Sequence, residues 1–301
     1  MSAPAPLAPA PALAGLPTLI ERLPLGFDWP GQAPAWRAQV FESDGAERLV
    51  LDGRFERPVA RWADLPDGSY RLRVRAQDRQ GLEGQDAEHR FRVKARPEPP
   101  LLRQPDLGQR VVGPEASFLW APSQAAARYR LQVAPSADFN SPLHDRKGLD
   151  EARLTLPMPP GRWVWRMASI TADGDQGPWS DPYEFEQFEI PPAPSAEPPQ
   201  TETGGVVLRW KAPREGSRTQ FQLARDREFT QLVEDQTLDA SHIRFANPPP
   251  GRYAIRLRTI DAVGTIGPWA ATSELNIEAP PPPPTPWWWW LAPVLLWLWV
   301  I

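Results

Sequence analysis

Apolar and polar residues alternate with a period of two along short stretches of this chain, and the stretches recur. Tyr70, Leu72, Val74 and Ala76 interleave with Arg71, Arg73, Arg75 and Gln77, and Tyr253, Ile255, Leu257 and Thr259 repeat the pattern. One apolar and one charged face is what a half-buried β-strand requires. Each stretch opens on a glycine, Gly68, Gly161 or Gly251. In every copy two further glycines follow 13 and 16 residues later: Gly81 and Gly84, Gly174 and Gly177, Gly264 and Gly267. The copies start 93 and 90 residues apart, which predicts a tandem array of three small domains. Pro-Asp-Gly, Pro-Pro-Gly and Pro-Pro-Pro-Gly lead into the strands with turn chemistry, proline fixing φ and glycine allowing it to be positive.

Further strands recur upstream. Phe27-Asp-Trp29, Phe118-Leu-Trp120 and Leu208-Arg-Trp210 end in a tryptophan 39, 41 and 41 residues before the repeat glycine. Trp36–Phe41, Tyr129–Val133 and Phe221–Ala224 alternate again, and Phe91–Val93, Phe185–Phe188 and Leu275–Ile277 close each unit. Several short alternating strands in about 90 residues predict two-sheet β-sandwiches. Their expected limits are 17–96, 101–190 and 200–278, with Trp29, Trp120 and Trp210 as core pillars.

Composition sharpens this picture at the ends and joints. The 301 residues include 40 prolines and no cysteine, which disfavours a helical protein and removes cysteine-based zinc sites and nucleophiles. A net charge of −4 argues against a nucleic-acid footprint. Residues 1–16 carry no charge, and prolines at 4, 6, 9 and 11 would break the apolar helix of a secretory signal, so this stretch reads as a polyproline-like leader or linker. Ala95–Pro100, Pro191–Pro199 and residues 279–286 read as semi-rigid proline-rich spacers that hold neighbouring domains apart. Residues 287–301 have no charged side chain. With Trp287, Trp288, Trp289 and Trp290 suited to the bilayer interface, they predict a short apolar membrane segment of ~22 Å if helical, less than a ~30 Å hydrocarbon core.

Candidate chemistry is sparse. His89, His144 and His242 fall one per repeat at unmatched offsets, so no catalytic residue, cofactor or metal site is expected. Asp173-Gly-Asp175 lacks the ligand spacing of a calcium loop and reads as a turn. The constellation worth following is tryptophan beside an arginine-bearing strand: Trp179 with Arg166, and Trp269 with Arg256 and Arg258, Arg252 lying on the same polar face. Guanidinium stacked on indole is worth about 0.5 to 2 kcal/mol. The pattern is similar to the Trp-Arg ladder on the outer face of some fibronectin type III domains, and predicts either a sheet-stabilising ladder or an aromatic binding strip. The first copy has Gly84-Gln-Asp86 where the others have Gly-Pro-Trp.

Leu65–Gly84, Tyr129–Val133 with Ala137-Asp-Phe139, and Pro159–Arg166 carry a wider resemblance. The chain resembles an all-β tandem array of three fibronectin III/immunoglobulin-like β-sandwiches of the kind that forms the C-terminal repeats of FecR-domain proteins of the bacterial envelope. The resemblance covers roughly residues 17 to 278. It implies an envelope location and a spacer or protein-interaction role; together with the repeats, the proline-rich links and the apolar end, this predicts a non-enzymatic, membrane-associated protein with the sandwiches periplasmic or extracellular and other envelope proteins or a glycan as partners. The FecR domain that usually precedes such repeats is not visible here, so anti-sigma activity does not follow. A carbohydrate- or peptidoglycan-binding module and the sensory ectodomain of a membrane-bound signalling enzyme are the alternative readings.

Overall fold

The computed structural model describes residues 7–45, 47–202, 205–211, 214–246 and 249–278. All elements among them are strands; none is a helix long and apolar enough to cross a membrane. The expected membrane segment 287–301, with its four tryptophans, lies outside the described residues. The chain divides between Phe188 and Glu189 into two compact units.

The first unit holds two sandwiches. In the first sandwich β1 (Leu19–Ile20), β2 (Leu25–Asp28), β3 (Ala35–Glu42), β4 (Arg48–Phe55), β5 (Val59–Trp62), β6 (Gly68–Gln77) and β7 (Ala87–Val93) form sheets ordered β1-β7-β6-β3-β4 and β2-β5. The second comprises β8 (Leu101–Gln104), β9 (Gln109–Val112), β10 (Glu115–Ala121), β11 (Arg128–Ala134), β12 (His144–Leu149), β13 (Arg153–Pro157), β14 (Gly161–Ile170), β15 (Gln176–Trp179) and β16 (Tyr183–Phe188). Its sheets run β13-β10-β8 and β12-β11-β14-β16-β9, with β15 on β14.

The second unit holds the third sandwich: β17 (Ser195–Ala196), β18 (Gln200–Glu202), β19 (Gly205–Lys211), β20 (Arg218–Ala224), β21 (Leu232–Leu238), β22 (His242–Ala246), β23 (Gly251–Ile260), β24 (Ile266–Trp269) and β25 (Ser273–Ile277). Here β17, β18 and β22 pair with β19, and β21-β20-β23 carries β24 and β25.

The alternation does what its period requires. Tyr70, Leu72, Val74 and Ala76 are buried with Phe27, Val40 and Phe91 between the sheets, and Tyr253, Ile255 and Leu257 meet Leu208 and Phe221 in the same way. The aromatic that opens each central strand closes the preceding turn: Tyr70 and Tyr253 donate their hydroxyls to the carbonyls of Pro66 (2.9 Å) and Pro249 (2.7 Å). In the second copy the Trp163 indole N–H donates to Pro159 at 3.0 Å, so an indole substitutes for a phenol in the corner.

The glycines have separate duties. Gly81, Gly174 and Gly264 have φ of 85°, 91° and 87°, a left-handed turn closed by Asp78, Thr171 and Asp261. The third glycine of each motif is different. A Cβ at Gly84 would lie 2.6 Å from the Ala8 carbonyl oxygen, and at Gly177 and Gly267 closer still to those of Pro97 and Pro191.

Those carbonyls belong to the proline-rich stretches, and here the structure differs from the sequence reading. Residues 7–16 are not a free leader: Leu13 is buried in the first core and Gln85 N–H donates to Ala8 at 2.9 Å. Nor are 95–100 and 191–199 only spacers. Ser169 donates to the Glu98 carbonyl and Thr259 to that of Pro192, each at 2.6 Å, and β17 pairs with β19. Prolines donate no backbone hydrogen bond, but the segment keeps its carbonyls, and a glycine opposite lets them approach. Each lead-in therefore packs on the sandwich that follows it.

Candidate functional site

The strand pairing of the second sandwich puts Gln132 of β11 opposite Arg166 of β14 and Arg130 opposite Ala168, with Trp179 of β15 beside Ala168. The Arg166 guanidinium lies between two rings, 3.9 Å from Phe139 and 4.4 Å from Trp179, and Arg130 approaches the same indole at 5.4 Å. Arg166 donates to Gln132 Oε1 at 2.8 and 3.0 Å; Gln132 donates to Asp145 (2.9 Å), which also takes two hydrogen bonds from Arg130 (2.6 and 2.8 Å). Two rings and the Gln132 amide thus fix a guanidinium that has no carboxylate partner among the described residues. Burial, and then the charge of Arg130, push Arg166 below its ordinary pKa, while Arg130 holds Asp145 below the usual carboxylate range.

The third sandwich builds the same ladder from a changed set. Arg256 sits 4.0 Å from Phe229 and 4.2 Å from Trp269, and Arg258 lies 4.4 Å from the same indole. Gln220 stands where the second copy has Arg130, and Arg258 where it has Ala168. The second cation has therefore crossed from one strand to its neighbour while staying beside the tryptophan. Asp235 accepts from Gln220 and Gln222, both at 2.7 Å.

The first sandwich keeps the arginines and changes the rungs. Asp86 stands 18 residues after Gly68, where Trp179 and Trp269 stand after their own glycines. Arg75 pairs with Asp86 and with Glu83 (2.5 Å), Arg73 with Glu88 (3.1 Å), and Arg71 with Glu47 and Glu88. Arg37 joins Asp52 and Glu83, each at 2.8 Å. One ring remains, Phe41, 4.6 Å from Arg73.

The sequence-predicted residues thus divide cleanly. The structure brings Trp179 to Arg166, and Trp269 to Arg256 and Arg258; Arg252 lies apart from that ladder, beside Asn276. Trp29, Trp120 and Trp210 are 3 to 4% exposed. The Trp210 indole donates to Thr219 at 2.9 Å, whereas those of Trp29 and Trp120 have no partner among the described residues and meet Trp36 and Tyr129 edge-on. Sequence reasoning missed Phe139 and Phe229, held at φ 51° and 57°, and the Gln and Asp that brace the arginines. A signal was present: each Phe follows its bracing Gln by seven residues, 132 to 139 and 222 to 229.

Elsewhere, His89 and His144 meet the backbone carbonyls of Pro17 and Pro157, and no group of three or more His, Asp or Glu among the described residues could hold a metal ion. Asp173 accepts from Thr171 within the turn.

No protein-family model matches the chain, and no curated protein matches it. Among solved structures, the FN1-FN3 domains of chicken CNTN1 resemble it at 16% identity, with 91% of this chain and 100% of that chain covered and a TM-score of 0.36. Fold is read from the strand order itself, in which β8, β10 and β13 face β11, β12, β14 and β16. The sandwiches are fibronectin type III-like.

Proposed function

We propose that this chain is a non-enzymatic spacer and protein-interaction array of the bacterial cell envelope, held at a membrane by its apolar end and comparable to the repeats of FecR-domain proteins. The observation that carries the reading is how the first two sandwiches are joined. Lys94, just before the lead-in, bridges Asp67 of the first and Asp175 of the second at 3.2 and 2.5 Å, Arg22 pairs with Asp181, and the lead-in itself is seated against Gly177. Such a joint limits rocking between modules, which is what a spacer needs and an enzyme does not. The charge-free, tryptophan-rich residues 287–301 support the membrane attachment. Trp179 and Trp269 are already stacked by arginines within their own sheets, which favours a structural ladder over a glycan strip.

Membrane fractionation of cells making the full chain, or a chain ending at Ala279, tests the attachment. The full chain pellets with membranes and the shorter one stays in the supernatant; equal partitioning of the two contradicts the reading.

A further inference from the structure

Three copies of one sandwich in a single chain provide their own controls, and the closing strand differs in one of them. In the first two sandwiches its outer edge is covered by a short parallel strand: β1 on β7, and β9 on β16. In the third, β17 and β18 pair with β19 instead, and among the described residues β25 pairs only with β23. The carbonyls capped in the second copy are those of Glu184 and Phe188, by the N–H groups of Gly108 and Gly113. Counted from the repeat glycine, they correspond to Glu274 and Glu278. The cleft beside the strand is also roomier, about 690 Å³ against about 410 Å³ in the second copy, where Gly108 of the covering segment lines it.

A bare edge is a template for another strand, and proteins blunt such edges with lysine, proline or inward-pointing charge. Ser273-Glu-Leu-Asn-Ile277 has no lysine, proline or inward-pointing charge; its one charge, Glu274, points outward and pairs with Arg227. Charge complementarity points to the occupant. In the second copy Arg162 of β14 has Glu186 of β16 as its cross-strand partner, at 3.8 Å. In the third, Asn276 replaces that glutamate opposite Arg252, and Arg252 has no ion pair or hydrogen bond among the described residues.

We propose that the third sandwich associates with a second copy of this chain by antiparallel pairing of β25 with itself. With the two-fold axis at Leu275, Glu274 of one copy stands opposite Asn276 of the other. Both outward N–H and both outward C=O groups of each strand are then used, as in a hydrogen-bonded antiparallel pair. Glu274 of the second copy, which Arg227 of its own sandwich also approaches at the exposed surface, lies in line with Asn276 and Arg252 and brings Arg252 a carboxylate in the row where its own sheet has Asn276. No like charges are opposed, and Pro268 and Pro280 on either side limit pairing to this one segment. An interface of this size is weak, in keeping with association driven by concentration.

Sedimentation of the full chain in nonionic detergent, up to about 300 μM, tests the proposal. Wild type self-associates with concentration. Asn276→Glu, which sets a like charge opposite Glu274 of the second copy and gives Arg252 a carboxylate across its own sheet, weakens this about tenfold, and Glu186→Lys, on the covered edge, leaves it unchanged. Because the chain has no cysteine, Glu274→Cys with Asn276→Cys gives a second readout that does not depend on a disruptive charge. Opposed residues of such a pair have Cα atoms about 5.5 Å apart, within disulfide reach, so mild oxidation links two chains. A chain monomeric over the whole range, equal association of wild type and Asn276→Glu, equal weakening by Glu186→Lys, or failure of the double-cysteine chain to cross-link would each overturn the proposal.

Discussion

In the first sandwich the arginines of the central strand lie among carboxylates, Glu47, Glu83, Asp86 and Glu88; in the second and third, Arg166 and Arg256 each lie between a phenylalanine and a tryptophan. The strand and its register are shared. Much of the difference falls on the position 18 residues after the repeat glycine: Asp86, Trp179 or Trp269. A guanidinium on a sheet face needs its stem covered and its charge met. Carboxylates meet the charge and leave the face sensitive to salt and acid, since exposed ion pairs are screened. Rings cover the stem and attract the cation through their quadrupole, which survives both.

The largest expected effect lies beneath that contrast and should be indifferent to it. Trp29→Ala, Trp120→Ala and Trp210→Ala each empty the matching place in the core of one sandwich, and should cost about 3 to 5 kcal/mol, read as earlier melting of the affected sandwich. Truncation to phenylalanine separates them again: Trp210 loses a hydrogen bond to Thr219, whereas Trp29 and Trp120 lose an indole N–H that has no partner among the described residues. Trp210→Phe should therefore be the most costly of the three, by about 1 kcal/mol.

Next in size is the third glycine. Gly177→Ala forces a methyl into the Pro97 carbonyl and should cost about 1 to 3 kcal/mol, while Gly174→Ala at a positive φ with open space around it should cost about 1 kcal/mol. Equal effects would contradict the packed lead-in. This contact also marks the limit of what was legible. Alternation and glycine spacing located the strands, because both are local properties of the chain. The reason for the third glycine was not legible, because the atom that demands it belongs to residue 8, 97 or 191, 76 to 80 positions upstream.

The proline-rich lead-ins were misread for a related reason. Composition reports that such a segment is extended, but not that its carbonyls have Ser169 or Thr259 to accept from. The tryptophan-arginine pairs were legible from spacing. Their outer rungs, Phe139 and Phe229, sit in loops outside any period, and the parallel strands β1 and β9 are too short to show an alternation.

Within the ladder, Trp179→Ala and Trp269→Ala should each cost about 0.5 to 2 kcal/mol, little changed by salt. Asp86→Ala, at the matching position, should cost less, within about 1 kcal/mol, and less still at high salt. Melting each variant at low and high ionic strength checks the pair. A salt-dependent tryptophan effect, or a salt-independent aspartate effect, would break the comparison.

The most direct measurement is hydrogen exchange of the central-strand amides in the full chain as pH is lowered from neutrality towards 3. Arg37 holds Asp52 and Glu83 below the usual carboxylate range, and Arg75 holds Asp86 there. On the matching face of the second sandwich Asp145 is held down by Arg130. Turn carboxylates are lowered in every sandwich, Asp64, Asp138, Asp173 and Asp226 among them, so the contrast comes from the sheet face. A carboxylate with a depressed folded pKa contributes stability above its unfolded value, near 4, and loses it as pH falls through the folded value. Protection should therefore fall first in β6, then in β14, and last in β23. Loss of protection in β23 before β6, or in all three strands together, would contradict the account.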